Sequence, residues 1–283
     1  MRIFAIFGDP IEHSLSPVMQ NAAFRATSLD ACYHAFRVTP EGLRDAIAGA
    51  FAMGFGGLNL TIPLKEHALE IGIVEPDGLA AAIGAVNTIS FGSRVEGHNT
   101  DGPGAIMALE HEGIAIRGRR CLLIGAGGAA RAIAYALRKE GAVLEIANRS
   151  PERARQLAAS VGGTGHGLGS LEELVKRADI IVNATSVGMH EGDPPLFDGR
   201  LVGEGQVVFD IVYNRETQLL RDARAAGAKA IDGVMMLVFQ GAKAIEIWTG
   251  RMGPVDVMER AVRDELRARW SRALGQEERG GEV

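Results

Sequence analysis

A glycine-rich hexapeptide, Gly125-Ala126-Gly127-Gly128-Ala129-Ala130, carries the most legible chemistry in this 283-residue sequence. It follows the apolar run Cys121–Ile124 and opens a segment of helical spacing, so it fits the pattern G-x-G-x-x-A. In that context the first glycine permits a tight turn and the second lets backbone approach a pyrophosphate. The small Ala130 then allows close packing of helix on sheet. Unpaired N–H groups at the helix start would hold the phosphates of a dinucleotide. The competing reading is a glycine turn with no ligand; a further strand about 20 residues on favours the dinucleotide. That strand ends Leu144-Glu145-Ile146-Ala147-Asn148-Arg149-Ser150. A carboxylate at its end would select the free ribose 2′-hydroxyl of NAD, but Asn148 and Arg149 stand there instead. A guanidinium matches a 2′-phosphate bidentately, with Asn148 and Ser150 as neutral donors and Arg153 one turn further. Arg149 as mere decoration of a helix start is disfavoured, since a cation there opposes the helix dipole. NADP is the expected cofactor. Glu145 opposes it only if its side chain points into the crevice, which strand alternation alone does not decide.

A second set of polar residues falls in the N-terminal half, at places that should be loops after strands. Ser14 and Ser16 follow the first strand, and Asn59, Thr61 and Lys65 end the third. Asn87 and Asn99-Thr100-Asp101-Gly102 belong to a hairpin and its exit. Ligands of open α/β sheets bind beyond the carboxyl ends of the strands, so these groups would converge on one crevice. Each also has an ordinary reading: Ser16 as a helix cap before Pro17, Asn87 as a turn former, Lys65 as a solvated helix residue.

The elements that must position these residues alternate. Arg2–Phe7, Tyr33–Val38 and Gly57–Thr61 read as strands, with helical spacing after Pro17 and from Pro40 to Phe51. Ala85–Phe91 and Val95–Asn99 read as a hairpin about Gly92-Ser93. The second half repeats the alternation: strands Arg120–Ile124, Val143–Ala147, Ile180–Asn183 and Val207–Asp210, with helices Ala129–Glu140, Pro151–Val161 and Glu216–Ala226. Two further helices, Val234–Thr249 and Val255–Leu274, close the chain. Strands alternating with helices imply βαβ units and a parallel sheet.

Composition excludes several classes. Apolar residues at 47% and charged residues at 23% describe a globular chain rather than a disordered one. Thirty Lys and Arg against 35 Asp and Glu leave a net charge of −5, so no basic surplus exists for nucleic acid. The longest uncharged stretch, Ala46–Leu64, spans 19 residues but contains four glycines, Asn59 and Pro63, which argues against a membrane span. The apolar run after Arg2 is too short for a signal-peptide core. Cys32 and Cys121 are too few for a disulfide framework and too far apart for a metal cluster, so no metal and a reducing, cytoplasmic compartment are expected.

Taken together, the polar motifs resemble a family. Glu-His-Ser-Leu-Ser-Pro (12–17), Asn-Leu-Thr-Ile-Pro-Leu-Lys (59–65), Gly-Ala-Val-Asn-Thr (84–88) and Asn-Thr-Asp-Gly (99–102) look like the shikimate/quinate dehydrogenase family. So do Gly-Ala-Gly-Gly-Ala (125–129), Asn-Arg-Ser (148–150), Asn-Ala-Thr-Ser-Val-Gly-Met (183–189) and Asp-Gly-Val-Met-Met-Leu-Val-Phe-Gln (232–240). The matches run in order over nearly the whole chain. The resemblance implies reduction of 3-dehydroshikimate to shikimate with NADPH, a step of the chorismate pathway of aromatic amino acid biosynthesis. It implies an α/β fold with a substrate-binding domain over 1–103, completed by returning helices in 241–270. A Rossmann-type doubly wound NADP-binding domain would span 104–240, with a disordered tail over 271–283. Ser14 and Ser16, helped by Tyr213, would bind the substrate carboxylate; Asn59, Thr61, Asn87 and Gln240 would complete the substrate site. Lys65 and Asp101 would form the catalytic pair. Cofactor contacts would come from Gly125, Ala126, Gly127, Gly128, Ala129, Asn148, Arg149, Ser150, Arg153, Thr185, Ile211 and Gly233. Partners are then a small ring acid and nothing nucleic or membranous, with a homodimer allowed.

The chain departs from the family pattern at Leu64 and Pro103, and Glu70–Ile83 matches poorly, with Asp77 as a candidate cofactor contact there. The polar loop His190–Pro195 has no assigned role. A quinate or aminoshikimate substrate, or a ligand-sensing homologue that has lost the reaction, are the alternatives; an intact Lys65 and Asp101 argue against the last.

Overall fold

The computed structural model describes residues 1–280, with side chains described through residue 272. Among the described residues, twelve strands form two six-stranded sheets. The first contains β1 (Arg2–Gly8), β2 (Ala31–Arg37), β3 (Gly57–Leu60), β4 (Glu75–Pro76), β5 (Thr88–Phe91) and β6 (Val95–His98), in the order β2-β1-β3-β5-β6-β4. β1 runs parallel to both β2 and β3, and the β5–β6 hairpin adds antiparallel strands beside β3. The apolar run of β1 is buried on both faces, as a central parallel strand requires. Helices α1 (Ser16–Ala26), α2 (Leu43–Ala52), α3 (Leu64–His67) and α4 (Gly78–Ile83) join these strands.

α5 (Asp101–His111) leads into the second sheet, made of β7 (Arg120–Ile124), β8 (Val143–Asn148), β9 (Thr164–Gly167), β10 (Ile180–Asn183), β11 (Val207–Asp210) and β12 (Lys229–Ile231). Its order is β12-β11-β10-β7-β8-β9, with every pair parallel. This is the doubly wound arrangement, and its direction of winding reverses between β7 and β10, where a crevice opens beyond the strand ends. The connecting helices are α6 (Gly128–Lys139), α7 (Pro151–Val161), α8 (Leu171–Arg177) and α9 (Gln218–Ala225). α7 shows how local sequence sets an element: Ser150 caps its start, Pro151 fills the first turn, and Gly162 at φ 79° ends it.

α10 (Val234–Thr249) and α11 (Val255–Gly280) return to the first sheet. Trp248 Nε1 donates to the Ile89 carbonyl (2.9 Å) and Gln20 Nε2 to the Gly241 carbonyl (3.1 Å). Met19 and Phe24 of α1 share one buried core with Met258, Val262 and Leu266 of α11. That core continues through α5 and α10 into the second sheet, reaching Leu123, Ala130 and Ile146. The divisions expected at 103/104 and 240/241 both fall inside helices, α5 and α10. The tail expected to be disordered over 271–283 is instead helical as far as Gly280, and 281–283 lie outside the described residues. Ala, Leu, Gln, Glu and Arg dominate that stretch, and such residues propagate a helix already nucleated by packing.

Candidate functional site

The polar residues of the N-terminal half meet at the carboxyl ends of β1 and β3, beside the hairpin and the first turn of α5. Lys65 in α3 and Asp101 at the start of α5 form an ion pair, Nζ to Oδ2 2.6 Å, with side chains 14% and 5% exposed. Asn87 Nδ2 donates to the other carboxylate oxygen of Asp101 (2.9 Å) and to Thr100 Oγ1 (2.9 Å). Its Oδ1 accepts from Thr100 N (2.8 Å) and Thr88 Oγ1 (3.0 Å). Behind it, Asn59 Nδ2 donates to Thr88 Oγ1 (3.0 Å) and to the Asn87 carbonyl (3.2 Å), while its Oδ1 accepts from the Tyr33 hydroxyl (2.7 Å). Asn99 Oδ1 accepts from the backbone N–H of Asp101 (3.1 Å), fixing the start of α5. Both asparagines expected at the substrate, Asn59 and Asn87, thus spend their amide hydrogens inside the protein, as a frame that aims Asp101 at Lys65.

The ordinary readings of these residues fail one by one. Lys65 is paired and mostly enclosed rather than solvated. Asn87 is buried in a network rather than placed at a turn tip. Ser16 is the first helical residue of α1, where Leu15 holds the cap position and no side chain caps. The Ser16 N–H donates to Ser14 Oγ (3.3 Å), which brings the two serines together.

α11 reaches the loop that carries this pair of serines. Arg269 of α11 donates to the His13 carbonyl just before them (3.0 Å). Burial pushes the Tyr213 phenol above its usual range, with the Arg269 charge pulling it partway back, so Tyr213 stays neutral. Gln240 sits where α10 crosses α5: a Cβ on Gly104 would come 2.8 Å from the Gln240 backbone N, so only glycine permits the crossing. Thr61 follows β3, its N–H bonded to the Phe7 carbonyl (2.9 Å).

The second crevice is built differently, from backbone. Gly125 has φ 121°, and a Cβ there would meet the Ala184 carbonyl at 2.7 Å. Nothing lies within 4 Å of a Cβ on Gly127, so the turn leading into α6 has room for a diphosphate to approach the backbone. Ala126 presents its carbonyl to Arg153 Nη2 (3.2 Å). Arg149 is exposed at the end of β8, Asn148 Nδ2 bonds the Ser150 carbonyl (3.1 Å), and Ser150 caps α7. Glu145 settles the question left open by alternation. Its Oε2 accepts from Arg177 Nη2 of α8 (2.6 Å) and lies 3.5 Å from His166 Nε2, so it is committed away from the crevice.

On the far side of this crevice, Thr185 donates through N–H (3.0 Å) and hydroxyl (2.7 Å) to Asn183 Oδ1. Asn183 Nδ2 in turn donates to Asp210 Oδ1 (2.9 Å), and Asp210 also accepts from Thr217 Oγ1 (2.7 Å) and Val212 N (3.1 Å). Burial outweighs these hydrogen bonds and pushes the Asp210 carboxyl up to about 6. Gly233 packs on Ile211, whose carbonyl a Cβ would strike. The loop at 190–195 is folded on Asp193, which accepts from Gly188 N (2.8 Å) and His190 N (3.0 Å).

Asp77, a candidate cofactor contact by sequence, is instead structural. It caps α4 through Ala80 N (2.7 Å) and holds His98 Nδ1 (2.7 Å), whose Nε2 meets Ser90 Oγ (2.9 Å). Residues that the sequence reasoning missed are Thr88, Tyr33, Asp210, Glu66 and Arg131. Thr88 is the last residue of the 84–88 motif and could have been found there; the others carry no local signal. Cys32 and Cys121 are both free, and burial pushes the Cys121 thiol up to about 12, so it is no nucleophile. Among the described residues there is no His, Cys, Asp or Glu cluster able to hold a metal, and no helix long and apolar enough to cross a membrane.

Three family models match the chain: a shikimate dehydrogenase substrate-binding domain over residues 6–89, shikimate/quinate 5-dehydrogenase over 108–190, and a shikimate 5′-dehydrogenase C-terminal domain over 233–263. A shikimate dehydrogenase (NADP(+)) of Methanothrix thermoacetophila is 64% identical over 266 residues, covering 94% of this chain and 98% of its own. The crystal structure of shikimate dehydrogenase from Aquifex aeolicus superposes with a TM-score of 0.88 at 40% identity, covering 93% of this chain and 98% of its own. The Thermus thermophilus enzyme, solved with NADP(H) and shikimate, gives 0.86 at 38% identity, with 93% and 99% covered.

Proposed function

The chain belongs to the shikimate dehydrogenase family, and we propose that it interconverts 3-dehydroshikimate and shikimate with NADP, using Lys65 and Asp101 as its catalytic pair. The observation that carries this assignment is the 2.6 Å contact between Lys65 Nζ and Asp101 Oδ2, on a lysine whose stem lies against the glycine-rich turn. A Cβ on Gly128 would come 3.0 Å from Lys65 Cβ, so the acid and the cofactor crevice share one wall.

The residues fit NADP: the unfilled space over Gly127, the helix start at Gly128, and Arg149 with Arg153 where a 2′-phosphate would fall. Bound there, the cofactor supplies or accepts the hydride. Everything else belongs to the chain. As a ketone becomes an alcohol its oxygen gains negative charge, which the Lys65 ammonium stabilises and then neutralises by giving up a proton. Asp101 fixes the direction of the lysine ammonium, and Asn87 holds Asp101 in turn. In the reverse direction the neutral amine takes the proton back. Ser14, Ser16 and Tyr213 offer neutral hydroxyls to the carboxylate, while Thr61 and Gln240 face the ring hydroxyls. On this division 1–103 with 241–270 supplies most of the substrate site, and 104–240 binds the cofactor and lends Tyr213 and Gln240 to the substrate. We place the enzyme in the cytoplasm, in keeping with its two free thiols.

The test is kcat/KM for shikimate and quinate, each with NADP and NAD. Shikimate with NADP should lead; faster turnover of quinate would reassign the substrate, and no turnover with either would leave a binding protein.

A further inference from the structure

Glu66 follows Lys65 in α3, and its carboxylate reaches the helices of the other sheet. Oε2 lies 3.2 Å from Arg131 Nε in α6, and Oε1 lies 3.7 Å from Arg153 Nη2 in α7. Arg131 stands in the first turn of α6, where a cation opposes the helix dipole, so its place there is explained by this partner. The two contacts are unequal. Arg131 is the closer and more enclosed, with 29% of its side chain exposed; Arg153 is longer-ranged and 55% exposed. One carboxylate between two guanidiniums leaves a positive balance at the rim of the cofactor crevice, and the looser cation is the one an arriving phosphate would take.

We propose that Glu66 is a positioning residue: it clasps the lysine-bearing segment to the start of α6 through Arg131, and it yields Arg153 to the 2′-phosphate when NADP enters. This rests on the reading above that Arg153 serves the 2′-phosphate. It makes Glu66 the link that sets Lys65 against the cofactor, and it makes occupancy of the 2′-phosphate site felt at the wall carrying the acid. Glu66 touches neither substrate nor cofactor in this role.

Glu66→Gln keeps the shape and removes the charge. Turnover should fall about three- to tenfold as Lys65 loses its alignment, with the KM for shikimate little changed. At the same time NADP binding to the free protein, followed by fluorescence titration, should tighten severalfold because Arg153 is no longer shared, and NAD binding should not move. Arg131→Gln should slow turnover alike but weaken NADP binding, since Glu66 then turns wholly to Arg153. Opposite signs on NADP affinity with the same sign on kcat are not what loosened packing gives. A common loss of NADP and NAD affinity with a lowered Tm, or an unchanged kcat in both variants, overturns the proposal. Equal binding of NADP and NAD by the unmodified chain overturns the reading of Arg153 first, and the proposal falls with it.

Discussion

Two buried aspartates, one beside each sheet, have opposite company. Asp101 faces an ammonium at 2.6 Å and an amide N–H at 2.9 Å. Asp210 faces an amide, a hydroxyl and a backbone N–H but no cation, and burial drives its carboxyl up to about 6. The same residue type is a charged lever in one crevice and a reluctant anion in the other. On the function proposed above, the substrate side concentrates paired charge where a bond must change, while the cofactor side relies on backbone shape, a capped helix and an exposed Arg149. Chemistry needs a preorganised charge; recognition of a large cofactor tolerates a looser one.

Removing the cation should erase that contrast with the largest effect. Lys65→Ala takes away the proton donor and leaves Asp101 with neutral partners only. A lost general acid costs about 10²–10⁴-fold, so kcat should fall by that order while KM rises little. Steady-state kinetics decide it, and an unchanged kcat would break the assignment.

A second experiment asks whether burial raises the Asp210 carboxyl as described. Its folded pKa, about 6, lies above its ordinary 3.8, so its contribution to stability is complete below pH 3.8 and is lost as pH rises through 6. A shift of about two units corresponds to roughly 3 kcal/mol. Asp210→Asn should therefore gain on the parent chain between pH 4 and 7, as read from denaturant midpoints. A stability difference that stays flat across that range would show the two aspartates to be alike after all.

The smallest effect tests the exposed side. Arg149→Ala removes a charge-assisted contact worth about 1.5–3 kcal/mol, and the lower end suits so open a residue. NADP should bind about tenfold more weakly, with NAD affinity unchanged and kcat for saturating cofactor nearly so. Equal loss for both cofactors would mean that Arg149 acts on something other than the 2′-phosphate.

How far these features were legible follows from whether their causes are local. The β7-glycine turn-α6 unit and the β5–β6 hairpin announce themselves through periodicity and turn residues, and the structure places them within a residue of expectation, save that β5 begins three residues later, at Thr88. β9 did not show, because Thr164-Gly165-His166-Gly167 has no apolar alternation. Gly165 is required there, since a Cβ would come 2.5 Å from the Arg155 backbone of α7. β4 and β12 are two and three residues long and exist only through their neighbours. In the site, motifs singled out Lys65 and Asp101, which the structure pairs, but not the inward hydrogen bonds of Asn59 and Asn87. Residue type says that an amide can bond, and only the fold says to what. Glu66 and Arg131 lie 65 residues apart, and no spacing rule connects them. Glu145 shows the same limit from the other side: its alternation was known, and its direction came only with Arg177.

The return of α10 and α11 to the first sheet has a consequence for how the chain comes into being. Synthesis runs from N- to C-terminus, yet Met19 and Phe24 wait for Met258, Val262 and Leu266, and Gly57 and Phe4 wait for Trp248. The stretch from β7 to β12 has all of its strand partners in hand well before that. The half made first is therefore finished last, and the nascent first sheet carries an uncovered apolar face until α10 and α11 have left the ribosome.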